Sequence, residues 1–310
     1  MNLAESIGNT PLIELRRVVP AGCGRIFAKI EGQNPSGSMK DRMAYAVVNG
    51  ALSSGRLSRQ GTIVEYTGGS TGTSLALVCA AEGIALTVVT SDAFSIEKRC
   101  HMRALGADIV EIPSDGGKTT AELIKRMIAR AEELGRSPNT VLADQFNNPD
   151  AASGYVPLAN EILHQSPAPV DAFVQSVGTA QCIKGVGSTL RQALSNVLVV
   201  AVEPAESSVL SGGTPGSHKI EGVGPGFIPP IWSDDLADEI QLVSTDDAMA
   251  MARQLARDEG LFAGTSSGAN VAAAIRVGTR LGPNSVVATI LCDSGLKYVS
   301  TSLYARHAEE

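Results

Sequence analysis

The sequence is poor in aromatic residues, histidine and cysteine, and each shortage excludes a class of protein. Aromatic residues make up 4% of the 310 residues, and there are only four histidines. The cysteines are odd in number, scattered and without a C-x-x-C pair; they are Cys23, Cys79, Cys100, Cys182 and Cys292. Such a set matches neither a disulfide framework nor a zinc site. We therefore expect reduced thiols, no metal and a cytoplasmic protein.

Clusters of positive charge and long apolar runs are also missing. Lys and Arg together number 25 against 32 for Asp and Glu, which gives a net charge of −7. A nucleic-acid-binding face needs clustered Lys and Arg, so we expect no nucleic-acid partner. No apolar run is long enough to cross a bilayer, and the N-terminus lacks the basic and then apolar pattern of a signal peptide. The sequence therefore predicts no membrane association.

What the sequence does have is glycine, with 32 residues, and apolar runs separated by helical patterns. The runs predict strands at residues 25–30, 63–67, 86–90, 108–112, 172–176, 197–202 and 286–291. The periodicity predicts helices at residues 73–81, 96–105, 119–134, 246–258 and one ending near residue 194. Continuous Val, Ile and Leu runs between helices are typical of parallel strands covered on both faces, so we expect an α/β fold.

Two stretches interrupt this alternation. Residues 147–169 are rich in Pro, Ala and Asn, and we interpret them as a crossing between domains. Residues 207–232 are rich in Gly and Pro and lack periodicity. A loop of that length in a compact domain is usually functional or disordered.

Lys40 follows a turn of Asn, Pro, Ser and Gly residues, at the point where a helix should begin. The positive end of a helix dipole disfavours an ammonium group, so the neutral amine that a Schiff base requires becomes more accessible there. An isolated lysine in a first helical turn is more often merely solvated. Lys40 alone is therefore weak evidence for a Schiff-base lysine and must be considered together with other motifs.

Glycine-rich turns follow several of the predicted strands. The turn at residues 67–72 can present backbone N–H groups to an anion. The turn at residues 178–182 lacks the glycines that G-x-G-x-x-G would place at Ala180 and Ile183, so a single phosphate suits it better than a dinucleotide. Further glycines stand at residues 264–269 and in the loop at residues 218–229. Each such turn alone is equally typical of an ordinary connection.

In this order, the segments resemble the cysteine-synthase family of fold-type-II pyridoxal-phosphate enzymes. The resemblance also includes I-G-N-T-P-L at residues 7–12, D-Q-F at 144–146 and D-S-G at 293–295, and it covers nearly the whole chain. It implies a three-layer αβα fold of the tryptophan-synthase-β kind with two parallel-sheet domains. The smaller would span residues 41–144, the larger residues 1–40 plus 145–310, with the cofactor in the cleft between them.

The resemblance also implies residue roles. Lys40 would bind pyridoxal 5'-phosphate as a Schiff base and later remove the substrate α-proton, while Ser266 would face the pyridine nitrogen. Ser70 would stand near the ring oxygen. The cofactor phosphate would be bound by Gly178, Thr179, Ala180, Gln181 and Cys182. The substrate would be bound by Thr67, Gly68, Gly69, Thr71, Gln145 and Gly222.

The implied reaction is β-replacement on an O-activated L-serine, such as O-acetylserine, with sulfide or a related nucleophile. The family usually carries T-S-G-N-T-G where this chain has Gly68 and Ser70, and glycines and threonine where it has Ala180, Gln181 and Cys182. These departures leave several alternatives open: a phosphoserine donor, an amine or thiol nucleophile, a β-eliminating lyase or dehydratase, or an inactive binding protein of the same fold. By analogy we expect a homodimer, with serine acetyltransferase as a possible partner.

Overall fold

The computed structural model describes residues 3–118 and 120–305, and the chain divides into two compact units. The first unit consists of Met1–Ile7 and Lys40–Gly154. The second unit consists of Gly8–Met39 and Tyr155–Glu310. Each unit contains its own sheet.

The first unit is built on a four-stranded parallel sheet in the order β5-β4-β3-β6. Its strands are β3 (Thr62–Tyr66), β4 (Ala85–Ser91), β5 (Asp108–Ile112) and β6 (Thr140–Leu142). In the central strand β3, Val64 lies opposite Thr87 of β4 and Leu142 of β6. This register aligns the carboxyl end of β3 with that of β4.

The helices of the first unit pack on this sheet and on one another. They are α1 (Leu3–Ser6), α2 (Lys40–Ser53), α3 (Ser70–Glu82), α4 (Ile96–Ala104), α5 (Ala121–Gly135) and α6 (Pro149–Ser153). The spacing of four residues between Leu123, Met127 and Ala131 places them on one face of α5. That face buries itself against Val64 and Val89 of the sheet.

The second unit is built on a six-stranded sheet in the order β1-β2-β10-β7-β8-β9, in which only β1 is antiparallel to its neighbour. Its strands are β1 (Leu12–Leu15), β2 (Arg25–Ile30), β7 (Ala172–Ser176), β8 (Leu198–Pro204), β9 (Glu239–Val243) and β10 (Val286–Leu291). Every residue of β7 and β10 is buried. This explains why these central strands have continuous apolar sequences.

The helices of the second unit are α7 (Val156–Gln165), α8 (Gln181–Ala193), α9 (Thr245–Gln254) and α10 (Thr265–Leu281). A π-helical turn, Leu255–Glu259, extends α9. Residues Val271, Ala274 and Val277 of α10 are buried in the main apolar cluster of this unit. The long helix α10 is thereby fixed on the sheet.

The predicted strands and helices are present, with ends that shift by a few residues, and three short strands (β1, β6 and β9) were not predicted. The helix predicted at residues 73–81 begins earlier, at Ser70, because the glycine-rich turn runs directly into it. Residue 119, the predicted start of another helix, lies outside the described residues. Residues 207–232 contain no helix or strand, in agreement with the prediction of a long loop.

The stretch at residues 147–169, interpreted as a crossing between domains, contains two helices that were not predicted, α6 and α7. Asn148 caps α6 by accepting a hydrogen bond from the Asp150 N–H group, and Pro149 occupies the first helical position. Proline is favoured there because the first turn needs no N–H donor. Pro149 and Pro157 therefore stand in the first turns of helices, whereas Pro167 and Pro169 follow the end of α7. No helix within the described ranges is long and apolar enough to cross a membrane.

Candidate active site

The turn at residues 67–71 lies at the carboxyl end of β3 in the first unit. The Thr67 hydroxyl accepts a hydrogen bond from the Gly69 N–H group at 3.1 Å, which closes the turn. Helix α3 starts at Ser70, so the turn lies at the N-terminus of a helix of 13 residues. The N–H groups and the dipole of such a helix end favour a bound anion. We call residues 67–71 the substrate turn.

Gln145 lies beside the substrate turn although it is far away in the sequence. The Thr71 hydroxyl donates a hydrogen bond to Gln145 Oε1 at 2.7 Å. The Gln145 side-chain amide donates to the Tyr66 carbonyl at 3.3 Å. The structure therefore brings together Thr71 and Gln145, both of which were predicted to bind substrate.

The side chain of Glu65 is hydrogen-bonded to the backbone on both sides of the Gln145–Tyr66 contact. Its two carboxylate oxygens accept hydrogen bonds from the N–H groups of Tyr66 at 2.9 Å and of Gln145 at 3.1 Å. The side chain is fully buried, and this burial raises the pKa of Glu65 to about 8. Sequence analysis missed this residue. Its signal was a single acidic residue in the otherwise uncharged strand β3.

In the second unit, the turn at residues 177–180 joins β7 to α8. Its Val177 N–H group donates to the Val202 carbonyl at 2.9 Å, which continues the sheet pairing past the end of β7. Thr179 is nearly buried, and Gln181 and Cys182, the first residues of α8, are buried as well. The residues predicted to bind phosphate, 178–182, thus lie together at a helix N-terminus, a position suited to phosphate, and we call them the phosphate turn.

The loop at residues 218–229, which we call the glycine loop, approaches the phosphate turn closely. A Cβ atom on Gly178 would lie only 2.3 Å from the carbonyl oxygen of Gly222, so no larger residue fits at position 178. The Gly224 N–H group donates to the Val177 carbonyl at 3.0 Å, and the His218 ring contacts the Gly224 carbonyl at 3.0 Å. Gly222 and Gly178, predicted separately as substrate and cofactor residues, are therefore neighbours.

Ser266 lies in the first turn of α10, and two other residues of that helix hold it in place. Ser267 accepts a hydrogen bond from the Cys292 N–H group at 2.9 Å, just past the end of β10. Asn270 accepts from the Ser176 N–H group at 2.6 Å and donates to the Ile290 carbonyl at 2.8 Å. Ser266 is consequently fixed beside the carboxyl ends of both β7 and β10. Sequence analysis did not identify Ser267 or Asn270.

A buried tyrosine and an aspartate flank the start of α10. The Tyr298 hydroxyl donates to Asp293 Oδ2 at 2.6 Å, and burial together with the Asp293 carboxylate raises the pKa of Tyr298 well above its usual value. A Cβ atom on Gly264 would lie 2.4 Å from Asp293 Oδ1 and 2.5 Å from the Tyr298 ring. Position 264 therefore requires glycine.

Lys40 is the first residue of α2 and is partly buried. The preceding residue, Met39, donates its N–H group to the Cys292 carbonyl at 2.8 Å. Ser38 forms an isolated bridge with Asp293. The chain segment that leads into Lys40 is thus held at the carboxyl end of β10.

These residues fit pyridoxal phosphate. The phosphate turn follows β7, Ser266 is anchored to the ends of β7 and β10, and the segment before Lys40 is held at the end of β10. In open parallel α/β sheets, ligands bind outside the carboxyl ends of the strands. The close approach at Gly178 leaves the phosphate turn without a bulky side chain at that position.

Within the described residues, no group of His, Cys, Asp and Glu could hold a metal ion.

Comparison with known proteins identifies the family of this chain. Residues 3–293 match the family described as "Pyridoxal-phosphate dependent enzyme". A cysteine synthase from Staphylococcus aureus is 40% identical over 306 residues, which cover 98% of this chain and 97% of that protein.

Solved structures give the same result. O-acetyl serine sulfhydrylase isoform 3 from Entamoeba histolytica is 38% identical, with a TM-score of 0.91 over 100% of this chain and 92% of that one. O-ureido-L-serine synthase is 35% identical, with a TM-score of 0.91 over 100% of this chain and 96% of that one. The predicted α/β fold and the predicted cofactor are confirmed. The chain belongs to the family of pyridoxal-phosphate-dependent enzymes and is of the cysteine-synthase type.

Proposed function

We propose that the enzyme catalyses β-replacement on O-acetyl-L-serine, with sulfide as nucleophile and L-cysteine as product. The observation that supports this proposal most strongly is the hydrogen-bonded Thr71–Gln145 pair beside the N-terminus of α3. A helix N-terminus with adjacent hydroxyl and amide groups suits an α-carboxylate. It lies in a chain whose relatives include a cysteine synthase and an O-acetylserine sulfhydrylase.

The second unit holds the cofactor in this proposal. The N–H groups of the phosphate turn and the Thr179 hydroxyl would hold the phosphate at the start of α8, and Ser266 would face the pyridine ring. A neutral serine hydroxyl does not hold a proton on that nitrogen. Bound pyridoxal phosphate supplies an electron sink for the α-carbon, which favours loss of the α-proton and of the β-substituent.

Lys40 carries out the proton transfers. Its Nζ atom would hold the cofactor in the absence of substrate, and as a free amine it would take the α-proton from the bound substrate. The position of Lys40 at the first residue of α2 favours the neutral amine, because the positive end of the helix dipole opposes a second positive charge. After the nucleophile adds, the same amine returns the proton to the α-carbon.

The first unit binds the amino-acid substrate. The substrate turn and Gln145 bind the α-carboxylate through N–H groups, the Thr71 hydroxyl and the side-chain amide. Glu65 keeps the Gln145 backbone in place through its hydrogen bond to that N–H group. Fixing the carboxylate orients the α-carbon and reduces the entropy lost in reaching the reactive geometry.

The donor and nucleophile pair has a second candidate, which the altered turn motivates. Position 68 carries no side chain and position 70 carries a serine. One relative of equal structural similarity is an O-ureido-L-serine synthase, whose named product is not cysteine. A phosphoserine donor or an amine or larger thiol nucleophile is the corresponding alternative, and a β-eliminating lyase is a third.

An absorption titration with product analysis tests this proposal. We expect the visible band of the bound cofactor to shift on addition of O-acetylserine and to return on addition of sulfide, with cysteine formed in equal amount. A band that ignores O-acetylserine but responds to phosphoserine would overturn the proposed donor. Rapid pyruvate formation without any nucleophile would show that the enzyme is a lyase. Lys40→Ala should abolish both the spectral response and turnover.

We further propose that the enzyme is a cytoplasmic homodimer that acts on small-molecule substrates. The described cysteines are all free, and four of the five are buried, which fits a reducing compartment. Docking of a serine acetyltransferase is the possible partner interaction. Sedimentation analysis, alone and with an added acetyltransferase, distinguishes monomer, dimer and complex.

A further inference from the structure

The ring of Phe94 fills the space next to Gly68 in the substrate turn. A Cβ atom on Gly68 would lie 2.4 Å from Cε1, 2.5 Å from Cδ1 and 2.9 Å from Cζ of that ring. Real Cβ atoms essentially never approach other heavy atoms this closely. Any side chain at position 68 would therefore have to displace the turn or the ring.

The backbone of Gly68 does not itself require glycine. Its φ angle lies outside the left-handed region, unlike that of Gly83 at the far end of the same helix, where φ is 67°. An alanine could adopt the conformation of Gly68 without backbone strain. The Phe94 ring is thus what excludes a side chain at position 68.

Phe94 stands on a firmly held segment. Its ring packs against the apolar cluster that includes Val64 and Val89. Its N–H group donates to the Ser91 carbonyl at 3.2 Å, and the Ser91 hydroxyl donates to Asp92 at 3.0 Å. The ring is therefore attached to the sheet from which the substrate turn itself emerges.

The next glycine of the turn is packed in the same way. A Cβ atom on Gly69 would lie 2.8 Å from Cδ of Lys98, whose side chain is buried. Ser95 caps α4 by accepting from the Lys98 N–H group, which fixes the start of that helix. The segment at residues 94–98 thus supports two consecutive positions of the substrate turn.

We propose that Phe94 is a positioning residue for substrate binding, which acts through Gly68 by holding the substrate turn in the conformation that binds the α-carboxylate. This inference rests on the proposed role of the turn. The Phe94 ring occupies the space that a side chain at position 68 would need. The turn therefore presents its N–H groups and the Thr71 hydroxyl to the substrate, without a side chain at position 68. Recognition of the carboxylate then depends on the backbone shape that the ring maintains.

A double-mutant cycle tests this proposal. The variants are Phe94→Ala, Gly68→Ala and the double variant, with Ile96→Ala as the control. Ile96 is a matched apolar residue two positions away, 52% exposed on the surface of α4. The dissociation constant of L-alanine, which has no β-leaving group, is measured from the absorption change of the bound cofactor. KM and kcat with O-acetylserine and sulfide are measured in parallel.

We expect Phe94→Ala and Gly68→Ala each to weaken L-alanine binding about tenfold, because a small displacement of binding groups is costly. KM for the donor should rise similarly, while kcat and KM for sulfide should stay within about twofold. The double variant should bind like Phe94→Ala alone, because without the ring there is room for a methyl group. Ile96→Ala should bind like the wild type.

Two results would overturn the proposal: wild-type affinity of Phe94→Ala for L-alanine, or multiplication of the two single effects in the double variant. Phe94→Leu, which keeps apolar bulk, should recover most of the affinity and serves if Phe94→Ala fails to fold. L-alanine binding does not require turnover. Failure of the β-replacement assay with a normal L-alanine cycle would therefore count against the proposed reaction alone.

Discussion

Ala180 adopts a left-handed backbone conformation, with φ at 63° and ψ at −4°, at the N-cap of α8. This conformation costs an L-residue with a Cβ atom about 1–2 kcal/mol, whereas glycine adopts it freely. The turn before α8 thus contains a strained residue at the position where the resemblance places glycine. Strain of this kind persists only where the surroundings hold it, here the buried start of α8 and the glycine loop packed on Gly178.

Replacing Ala180 by glycine should therefore stabilise the protein. After subtracting the greater freedom of glycine in the unfolded chain, we expect a net gain of about 0.5–1 kcal/mol. The measurement is the urea midpoint of unfolding. Ala205→Gly is the control, since Ala205 is exposed and does not have a positive φ. It should lose a few tenths of a kcal/mol, and an equal gain in both variants would contradict the strain argument.

The carboxyl group of Glu65 makes the stability of the protein depend on pH. Burial raises its pKa from 4.5 to about 8. The two N–H groups that donate hydrogen bonds to it act in the opposite direction, because they stabilise the ionised form. In the unfolded chain the carboxyl group ionises near its ordinary value. Between these two pKa values the folded protein holds a proton that the unfolded chain has lost, so stability decreases as pH rises from about 4.5 to 8.

Glu65→Gln should remove this pH dependence. We expect the free energy of unfolding of the wild type, measured by urea titration, to fall between pH 5 and pH 8.5 relative to that of the variant, by an amount on the order of a few kcal/mol. Glu132→Gln, which changes an exposed glutamate of α5, is the control and should follow the wild type. Parallel pH curves for the wild type and Glu65→Gln would exclude an elevated pKa.

At the scale of elements, helix α10 is the part that places Ser266. Asn270 joins this helix to both central strands through the Ser176 N–H group and the Ile290 carbonyl. It also donates to Gln175 at 3.2 Å. A fourth partner is Cys292 Sγ, at 3.4 Å. A fully buried amide with four hydrogen-bonded partners is costly to remove, because buried partners are then left unsatisfied.

Asn270→Ala should therefore destabilise the protein by about 2–4 kcal/mol and weaken cofactor binding about tenfold, because Ser266 loses its fixed position. Arg280→Ala is the control on the same helix. Its side chain is half exposed in an ion pair with Glu239, and such surface pairs contribute about 0–1 kcal/mol. The measurements are the urea midpoint and the dissociation constant of pyridoxal phosphate. Unchanged cofactor affinity in Asn270→Ala would show that α10 does not depend on this anchor.

Four strands match their predicted ranges in full, namely β2, β5, β7 and β10. Strand β10 matches its predicted range in full, since all of its residues are buried and apolar or small. The two helices within residues 147–169 were not predicted, because proline can either interrupt a helix or start one. Pro149 and Pro157 each stand in a first helical turn. Local composition alone cannot distinguish these two uses of proline.

At the scale of the whole molecule, the site divides into residues with a local signal and residues without one. Lys40, Gly178 and Ser266 stand in short motifs that the sequence displays directly. Glu65 acts on Gln145, which lies 80 positions away, and Asn270 acts on Ser176, 94 positions away. Such contacts exist only once the chain has folded. The division into domains at residues 41–144 and the roles of the site residues stay predictions.

The central claim is that Lys40 holds pyridoxal phosphate. The most direct measurement is to treat the purified enzyme with borohydride, which fixes the cofactor to its lysine, and then to locate the modified residue by peptide mass spectrometry. Our account predicts a single phosphopyridoxyl group on the peptide that contains Lys40, and no modification in Lys40→Ala. Modification of another lysine, or of none in the wild type, would contradict it.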